Sequence, residues 1–464
     1  MPNPAHPTDT REKALLVNLD ERLYGTFAEI GAGQEVVRWF FQAGAAAGTI
    51  AKSISAYDMR VSDAIYGECQ RYVARERLQA MLATEHSLNI ERLSDQRGEN
   101  TAFFSFADTV SARNFQGTNK CHAWMGIKFQ AHPGAAPSQI IIHIRMLDNI
   151  NALQQNALGI AGVNLVYGAA FLADQPEQLL SSLMDGLTAE RLEIDMVEFS
   201  GDAFQAVDNR VMSLRLVQLG YTGAAMFAAD GKVLQACEYL RKKSVVVHRG
   251  RFRPLTHVNI DLLHSAAAQF EQNFPGEDHT AVMEITMHHL SADGDVCLAD
   301  FISRVDVLAA TGHAVLISDF LRFEKLAAYL RHAGVRRTAL ALGMDSLGEL
   351  LDSSHYQSYD HGMLASLGNL LGDDAGLYVY PAQCQQSGNI RTIDDLELDT
   401  ATSLLFQYLR ACGAVQGIEN FNKDVLNIHS PQVLALIAAN DPQWEQMVPE
   451  SAVEIIKERR LFAG

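Results

Sequence analysis

The segment 241–253, RKKSVVVHRGRFR, carries Arg241, Lys242, Lys243, Arg249, Arg251 and Arg253 and no acid, in a chain of formal net charge −18. Arg249, Arg251 and Arg253 alternate, so an extended backbone places them on one side. A guanidinium presents a planar fork of donors that matches phosphate and carboxylate oxygens. The chemistry this predicts is the holding of a small phosphorylated or nucleotide-like anion. The structural use of the same residues is to pair with surplus carboxylates across a domain or subunit boundary. His257 and Asn259 follow in the short extended piece THVNI. Glu284 lies inside the apolar run AVMEITM. A carboxylate there is costly unless it is paired or functional, so Glu284 reads as either a buried ion pair or a site residue. His143, His257 and Glu284 are the expected proton-transfer groups, because such work needs groups tunable toward neutral pH. Lys52, Ser53, Arg145, Arg249, Arg251, Arg253 and Asn259 are the expected ligand-binding groups.

Two glycine-rich stretches invite a phosphate reading. In Glu29-Ile-Gly-Ala-Gly-Gln-Glu35 the glycines Gly31 and Gly33 precede a helical pattern, but G-x-G lacks a third glycine and a clear preceding strand. A tight turn into a helix explains it. Gly44 to Ser53 fails the phosphate-loop pattern, since Gly48 and Lys52 are not adjacent, although Lys52 and Ser53 remain able to reach an anion. Among 16 histidines there is no H-E-x-x-H and no His/Cys spacing typical of zinc, and no metal site is expected. The 6 cysteines are scattered without a C-x-x-C pair, the usage of reduced thiols in a cytoplasmic protein. No serine–histidine–acid arrangement emerges from spacing, and the cofactor is left open.

These groups need a scaffold. In the first half, 34–43 and 75–93 carry apolar residues at helical spacing, and 101–107 reads as a strand. Residues 123–130 and 139–146, joined by AHPGAAPS, make a hairpin. In its second strand Ile140, Ile142, Ile144 and Met146 face one way, while His143 and Arg145 face the other. Strands at 191–197 and 224–228 flank a helix at 208–219 for which Asp208 is a natural N-cap. In the second half, apolar runs at 244–248, 281–287, 313–318, 338–343 and 376–381 alternate with amphipathic segments at 260–273, 299–311, 322–332 and 362–371. Strand and helix alternating in this way build a parallel sheet with right-handed crossovers. The expected fold class is α/β: an N-terminal α+β domain, then a parallel βα-repeat domain, doubly wound or part of a barrel, with C-terminal helices. The boundaries expected are a mobile tail at 1–12, the α+β domain at 13–240, the parallel domain at 241–400 and a helical region at 401–464. Ligands of parallel sheets bind at the carboxyl ends of the strands.

Composition sets the outer limits. Lys plus Arg is 37 against 55 Asp plus Glu, which argues against a nucleic-acid polymer as partner and against anionic lipid. The hydrophobic fraction of 48% against 20% charged fits a packed core. The uncharged stretch 157–173, ALGIAGVNLVYGAAFLA, falls short of the ~20 residues a membrane span needs and is expected as buried core. The polar, proline-rich start MPNPAHPTDTREK lacks the apolar run of a signal peptide.

Several longer stretches carry a family likeness: NLDERLYGTFAEIGAGQEVVRWFFQAG (18–44), GTIAKSISAYDM (48–59), CHAWMGIKFQ (121–130), VDNRVMSLRLVQLG (207–220), RGRFRPLTHVN (249–259) and VPESAVEIIKERRLF (448–462). Over nearly its whole length the chain resembles a poorly characterised bacterial family of slightly longer proteins. Its members carry automatic names such as nicotinamide mononucleotide adenylyltransferase or TonB-dependent receptor. The resemblance implies a nucleotide-like ligand and brings no mechanism with it. No run of alternating barrel strands is present, and His132-Pro133-Gly134 lacks the second histidine of an H-x-G-H motif. The functional expectation is a protein that binds, and as an enzyme transforms, a small anionic ligand. The alternative is a self-associating scaffold without catalysis. A homo-oligomer is expected in either case.

Overall fold

Strand residues that are apolar on one or both faces form two separate sheets in the computed structural model, which describes residues 6–31, 33–291, 296–357, 361–372, 374–384 and 387–462. The chain divides into two units, Met1–Gly223 and Ala224–Gly464.

The first unit holds a six-stranded mixed sheet of β1 (Leu23–Ile30), β2 (Ile50–Ile54), β3 (Ala102–Ser111), β4 (His122–Gln130), β5 (Pro137–Met146) and β6 (Leu192–Ser200), in the order β2-β1-β3-β4-β5-β6. β1 runs parallel to β2 and β3, and β3 to β6 are antiparallel. Its helices are α1 (Thr10–Leu19), α2 (Glu35–Ala43), α3 (Met59–Tyr66), α4 (Arg75–Arg97), α5 (Asn151–Phe171), α6 (Pro176–Ser182) and α7 (Asn209–Gln218). The core forms between one sheet face and α1, α2 and α5, and includes Phe27, Phe40, Phe106, Ile140, Ile142 and Ile144. Asn89 of α4 covers the opposite face, bonding Thr26 and Ser105. The expected hairpin is β4–β5, with His143 and Arg145 on the face away from that core. The uncharged stretch 157–173 lies in the buried α5, where Gly162 lets Val36 of α2 press against its backbone. No helix among the described residues is long and apolar enough to cross a membrane.

Two expectations change here. A strand does precede Gly31: LYGTFAEI is β1, which shows no alternation because it is central and buried on both faces. Within the expected tail 1–12, residues 1–5 lie outside the described residues, while the rest is tied down. His6 Nε2 meets Asp185 at 3.0 Å, and Asp9 caps α1 by accepting from the Glu12 N–H at 2.9 Å.

The second unit holds an eight-stranded sheet of β7 (Ala224–Phe227), β8 (Val233–Leu234), β9 (Ser244–Arg249), β10 (His279–Thr286), β11 (Ala314–Ser318), β12 (Thr338–Gly343), β13 (Ala375–Tyr380) and β16 (Val415–Gly417). A separate ribbon pairs β14 (Ala382–Gln383) with β15 (Ile390–Arg391). Helices α8 (Ala236–Tyr239), α9 (His257–Asn273), α10 (Met287–Ser291), α11 (Leu298–Ala309), α12 (Phe323–Ala333), α13 (Met344–Leu351), α14 (Gly362–Leu371), α15 (Thr400–Ala411), α16 (Ser430–Ala438) and α17 (Glu450–Arg459) complete it. The sheet order is β16-β13-β12-β9-β10-β11-β7-β8, and the six strands from β9 to β16 are mutually parallel. Numbered along the chain, those six read 3-2-1-4-5-6. The sheet has two edges, so the barrel alternative is excluded and the doubly wound one holds. Residues of α12, α14 and α15 pack on one face in a common core, while α9 lies against β9, β12 and β13 outside that core.

The division falls at Gly223/Ala224 and not at 240, because β7 pairs antiparallel with β11 and so belongs to the second sheet. Likewise 401–464 is not helical throughout, since it contributes β16 to the same sheet.

Candidate functional site

At the carboxyl end of the second sheet, β9 and β10 place Arg249 and Glu284 directly opposite each other. Their side chains form a two-pronged pair, Nε to Oε2 at 2.7 Å and Nη2 to Oε1 at 2.9 Å. Ser318 Oγ donates to the same Oε1 at 2.6 Å, and Arg249 also donates to the Leu321 carbonyl at 3.1 Å and lies over the Phe323 ring. Glu284 is completely buried. Both groups are thus consumed by the fold, and the expected roles of Glu284 in proton transfer and Arg249 in ligand binding are corrected: a buried, satisfied ion pair has no free valence for a ligand.

The expected single-sided row of arginines is also corrected. β9 stops at Arg249, and Phe252 takes a left-handed φ of 47°, which breaks the two-residue alternation. Arg253 Nε lies 3.1 Å from Asp300, which Arg304 also pairs. Arg251 alone of the three is exposed. Its loop is fixed from below: Arg304 donates to the carbonyls of Arg251 and His289, each at 3.1 Å. The His289 imidazole is therefore held near Arg251, with a buried Nδ1 that has no partner. Burial, then the positive charges of Arg249 and Arg251, push its pKa down to about 4. Asn259 is the third residue of α9 and completes a capping box with the N-cap Thr256, accepting from its N–H at 3.1 Å, and its amide faces His248 Nε2 at 3.3 Å. His257 stands at the start of α9, where burial lowers its pKa.

The remaining predicted residues lie in the first unit. Lys52 pairs with the buried Glu85, 2.5 Å away, which also accepts from Tyr66 Oη at 2.8 Å. Ser53 is exposed on β2. Arg145 pairs with Glu193 at 2.5 Å, and Glu193 accepts from Thr222 at 2.7 Å. His143 is the centre of a chain of contacts. Its Nδ1 is 2.5 Å from Asp195 Oδ1, and its Nε2 is 3.1 Å from His122 Nδ1. Burial and the neighbouring His143 hold His122 down to about 4.

A further feature sits where β1 and β3 end. Glu29 and Asp108 are directly opposite in the parallel register, both buried. Glu29 accepts from the Val36 N–H at 3.1 Å and so closes the N-terminus of α2. Burial raises its pKa to about 8. Neither oxygen of Asp108 makes a hydrogen bond, and burial together with Glu29 raises it well above the carboxylate range. The carboxyl lies against Gly33, where a Cβ would overlap it, and a Cβ on Gly31 would overlap the Val110 carbonyl. Gly31 and Gly33 therefore serve close approach of the turn to β3.

The expected set thus divides between two units: Arg251, with His257 and Asn259 nearby in sequence, in one; His143, Arg145, Lys52 and Ser53 in the other. Sequence reasoning missed His122, Asp195 and the Glu29–Asp108 pair, and reached His289 only as part of the carboxyl end of a strand. An acid within an apolar run, the signal that singled out Glu284, also marks Asp108 in FFSFADTV. Among the described residues, no cluster of His, Cys, Asp and Glu is arranged to hold a metal ion.

No family model and no curated protein matches the chain. Among solved structures, it is similar to the competence/damage inducible protein CihA from Agrobacterium tumefaciens, at 14% identity over 39% of this chain and 99% of that one, with a TM-score of 0.24. CinA superfamily proteins from Klebsiella pneumoniae (14% identity, 35% and 98% covered, TM-score 0.26) and Escherichia coli (14%, 36% and 91%, 0.25) are similar to the same degree. Likeness at this level assigns no residue and no activity.

Proposed function

We propose that this is a cytosolic protein that binds a small phosphorylated or nucleotide-like anion at the carboxyl edge of its second sheet. The observation that carries the reading is the parallel strand order 3-2-1-4-5-6 with an exposed Arg251 in the loop that leaves its first strand. Sheets of that order take dinucleotides at their carboxyl ends, a fold-level analogy. The local support is chemical. Arg304 clamps the loop, Arg249 is neutralised by Glu284, and Arg251 keeps its charge toward solvent beside an imidazole with a buried open nitrogen. An oxyanion between Arg251 and His289 would favour the imidazolium, so binding takes up a proton and tightens as pH falls toward about 4.

The test is a titration with inorganic phosphate, nucleoside mono- and diphosphates and sugar phosphates, read by thermal shift. A ligand at about 100 times its Kd adds about 2.7 kcal/mol to stability. At least one of them raises Tm in the wild type and not in Arg251→Ala. If none does, and Arg251→Ala behaves as wild type, the reading is wrong.

A second reading, self-association, is favoured by a groove of the first unit that Leu16, Leu19, Tyr167 and Phe171 line together with Asp20, Glu21 and Arg22, and in which Leu19 is 58% exposed. Light scattering at micromolar concentration separates it: a strictly monomeric particle removes the scaffold.

A further inference from the structure

We propose that the first unit carries a proton-transfer site of its own, in which His122 accepts a proton at Nε2 from a water or hydroxyl while His143 and Asp195 position it and stabilise the resulting charge. The hydrogen bonds dictate the tautomers. A carboxylate only accepts, so His143 donates to Asp195 from Nδ1, at 2.5 Å. His143 Nε2 is then the acceptor of the 3.1 Å contact, and His122 donates to it from Nδ1. What remains is the lone pair of His122 Nε2, which makes no hydrogen bond among the described residues. This is the acid–imidazole–terminal-group logic of catalytic triads, with an imidazole at the end in place of a nucleophilic hydroxyl.

The placement is built by the sheet. Register sets His143 beside Trp124 on β4, and β6 shifts register between His143 and Ile144, the point where Asp195 meets it. His143 and Asp195 are buried, at 3% and 8% exposure, whereas His122 is partly exposed at the start of β4. The Trp124 ring packs against His143 with centroids 4.8 Å apart, which fixes the imidazole plane. The charges of Arg71 and Lys120 reach His122 from outside, and the Arg145–Glu193 pair flanks the buried end. Cations around a base select a substrate that carries an oxyanion. The cations account for a carboxylate or phosphate on the substrate, and we take a small ester as the group that water activated by one general base would cleave.

The step balances without a cofactor. As His122 Nε2 takes a proton from water, the water oxygen forms a bond to the ester carbonyl carbon. The Nδ1 proton of His122 shifts onto His143 Nε2, so the positive charge rests next to the Asp195 carboxylate. The relayed proton then returns from His143 Nε2 to His122 Nδ1. As the tetrahedral intermediate collapses and the ester C–O bond breaks, the Nε2 proton passes to the leaving alkoxide oxygen, so that acid and alcohol depart and His122 is neutral again.

Two measurements test this on the full chain. Diethyl pyrocarbonate, which acylates neutral imidazole, is followed site by site by mass spectrometry. His122 reacts at least about tenfold faster than the exposed His132. Equal or slower reaction in the wild type overturns the proposal whatever the variants do. Next, the mono-4-nitrophenyl ester of succinate is the probe for turnover. Its cleavage is lost in His122→Gln and falls about 10²-fold or more in kcat, with KM little changed, in Asp195→Asn. Equal cleavage by wild type and His122→Gln overturns the base. A KM no lower than that of 4-nitrophenyl acetate overturns the assigned substrate class.

Discussion

Glu284 and Asp108 occupy equivalent places: a carboxyl within an apolar strand of a parallel pair, near its carboxyl end, with a charged residue directly across in register. Across from Glu284 stands Arg249. Across from Asp108 stands another acid, Glu29. The first pair is locked by two hydrogen bonds and a serine. The second has an acid without a single hydrogen bond, and both of its pKa values are raised. One residue across the ladder thus decides whether a buried acid is a rivet or a stored cost. The rivet has no chemistry left to offer. The costly pair keeps a group that exchanges its proton near neutral pH.

The contrast is sharpened first by pH. A raised carboxyl pKa means that the folded state binds the proton more tightly, so Glu29 supports folding below about pH 4.5 and that support is lost as pH rises through about 8. Glu29→Gln does not titrate. Relative to it, wild type loses up to about 5 kcal/mol across that window, measurable by urea unfolding at a series of pH values; a gap that does not change with pH contradicts the pairing. The second effect runs the other way. Glu284→Gln strands a buried guanidinium and costs about 3–5 kcal/mol at pH 7, seen as a lower denaturant midpoint. Third, Asp108→Asn at pH 8 raises Tm where Glu284→Gln lowers it, because the folded state no longer has to hold a proton on a buried acid of raised pKa. A further change is Ser318→Ala, which deletes one hydrogen bond to the carboxylate and costs about 1.5–3 kcal/mol, read as a lower denaturant midpoint.

Much of this architecture is legible from residue order. The alternation of Ile140, Ile142, Ile144 and Met146 places His143 and Arg145 on the other face of β5. The βα alternation after residue 244 marks the parallel sheet. Strand β1 is not legible, since a strand buried on both sides has no period to read. The arginine row fails for a related reason: two-residue alternation holds only while the chain stays extended, and β9 ends at Arg249. His122 and Asp195 meet His143 through pairings of β4 and β6 with β5, across 21 and 52 positions of chain. No local pattern encodes such distances.

By itself, then, the sequence determines which stretches become helix or strand, which faces they bury and how acidic the molecule is, because these follow from periodicity and composition within a few turns of chain. Only the tertiary structure decides which charged residues are partners and which remain available. Pairing across a sheet is set by register between segments far apart in the chain, and a shift of one position exchanges an arginine for a different neighbour.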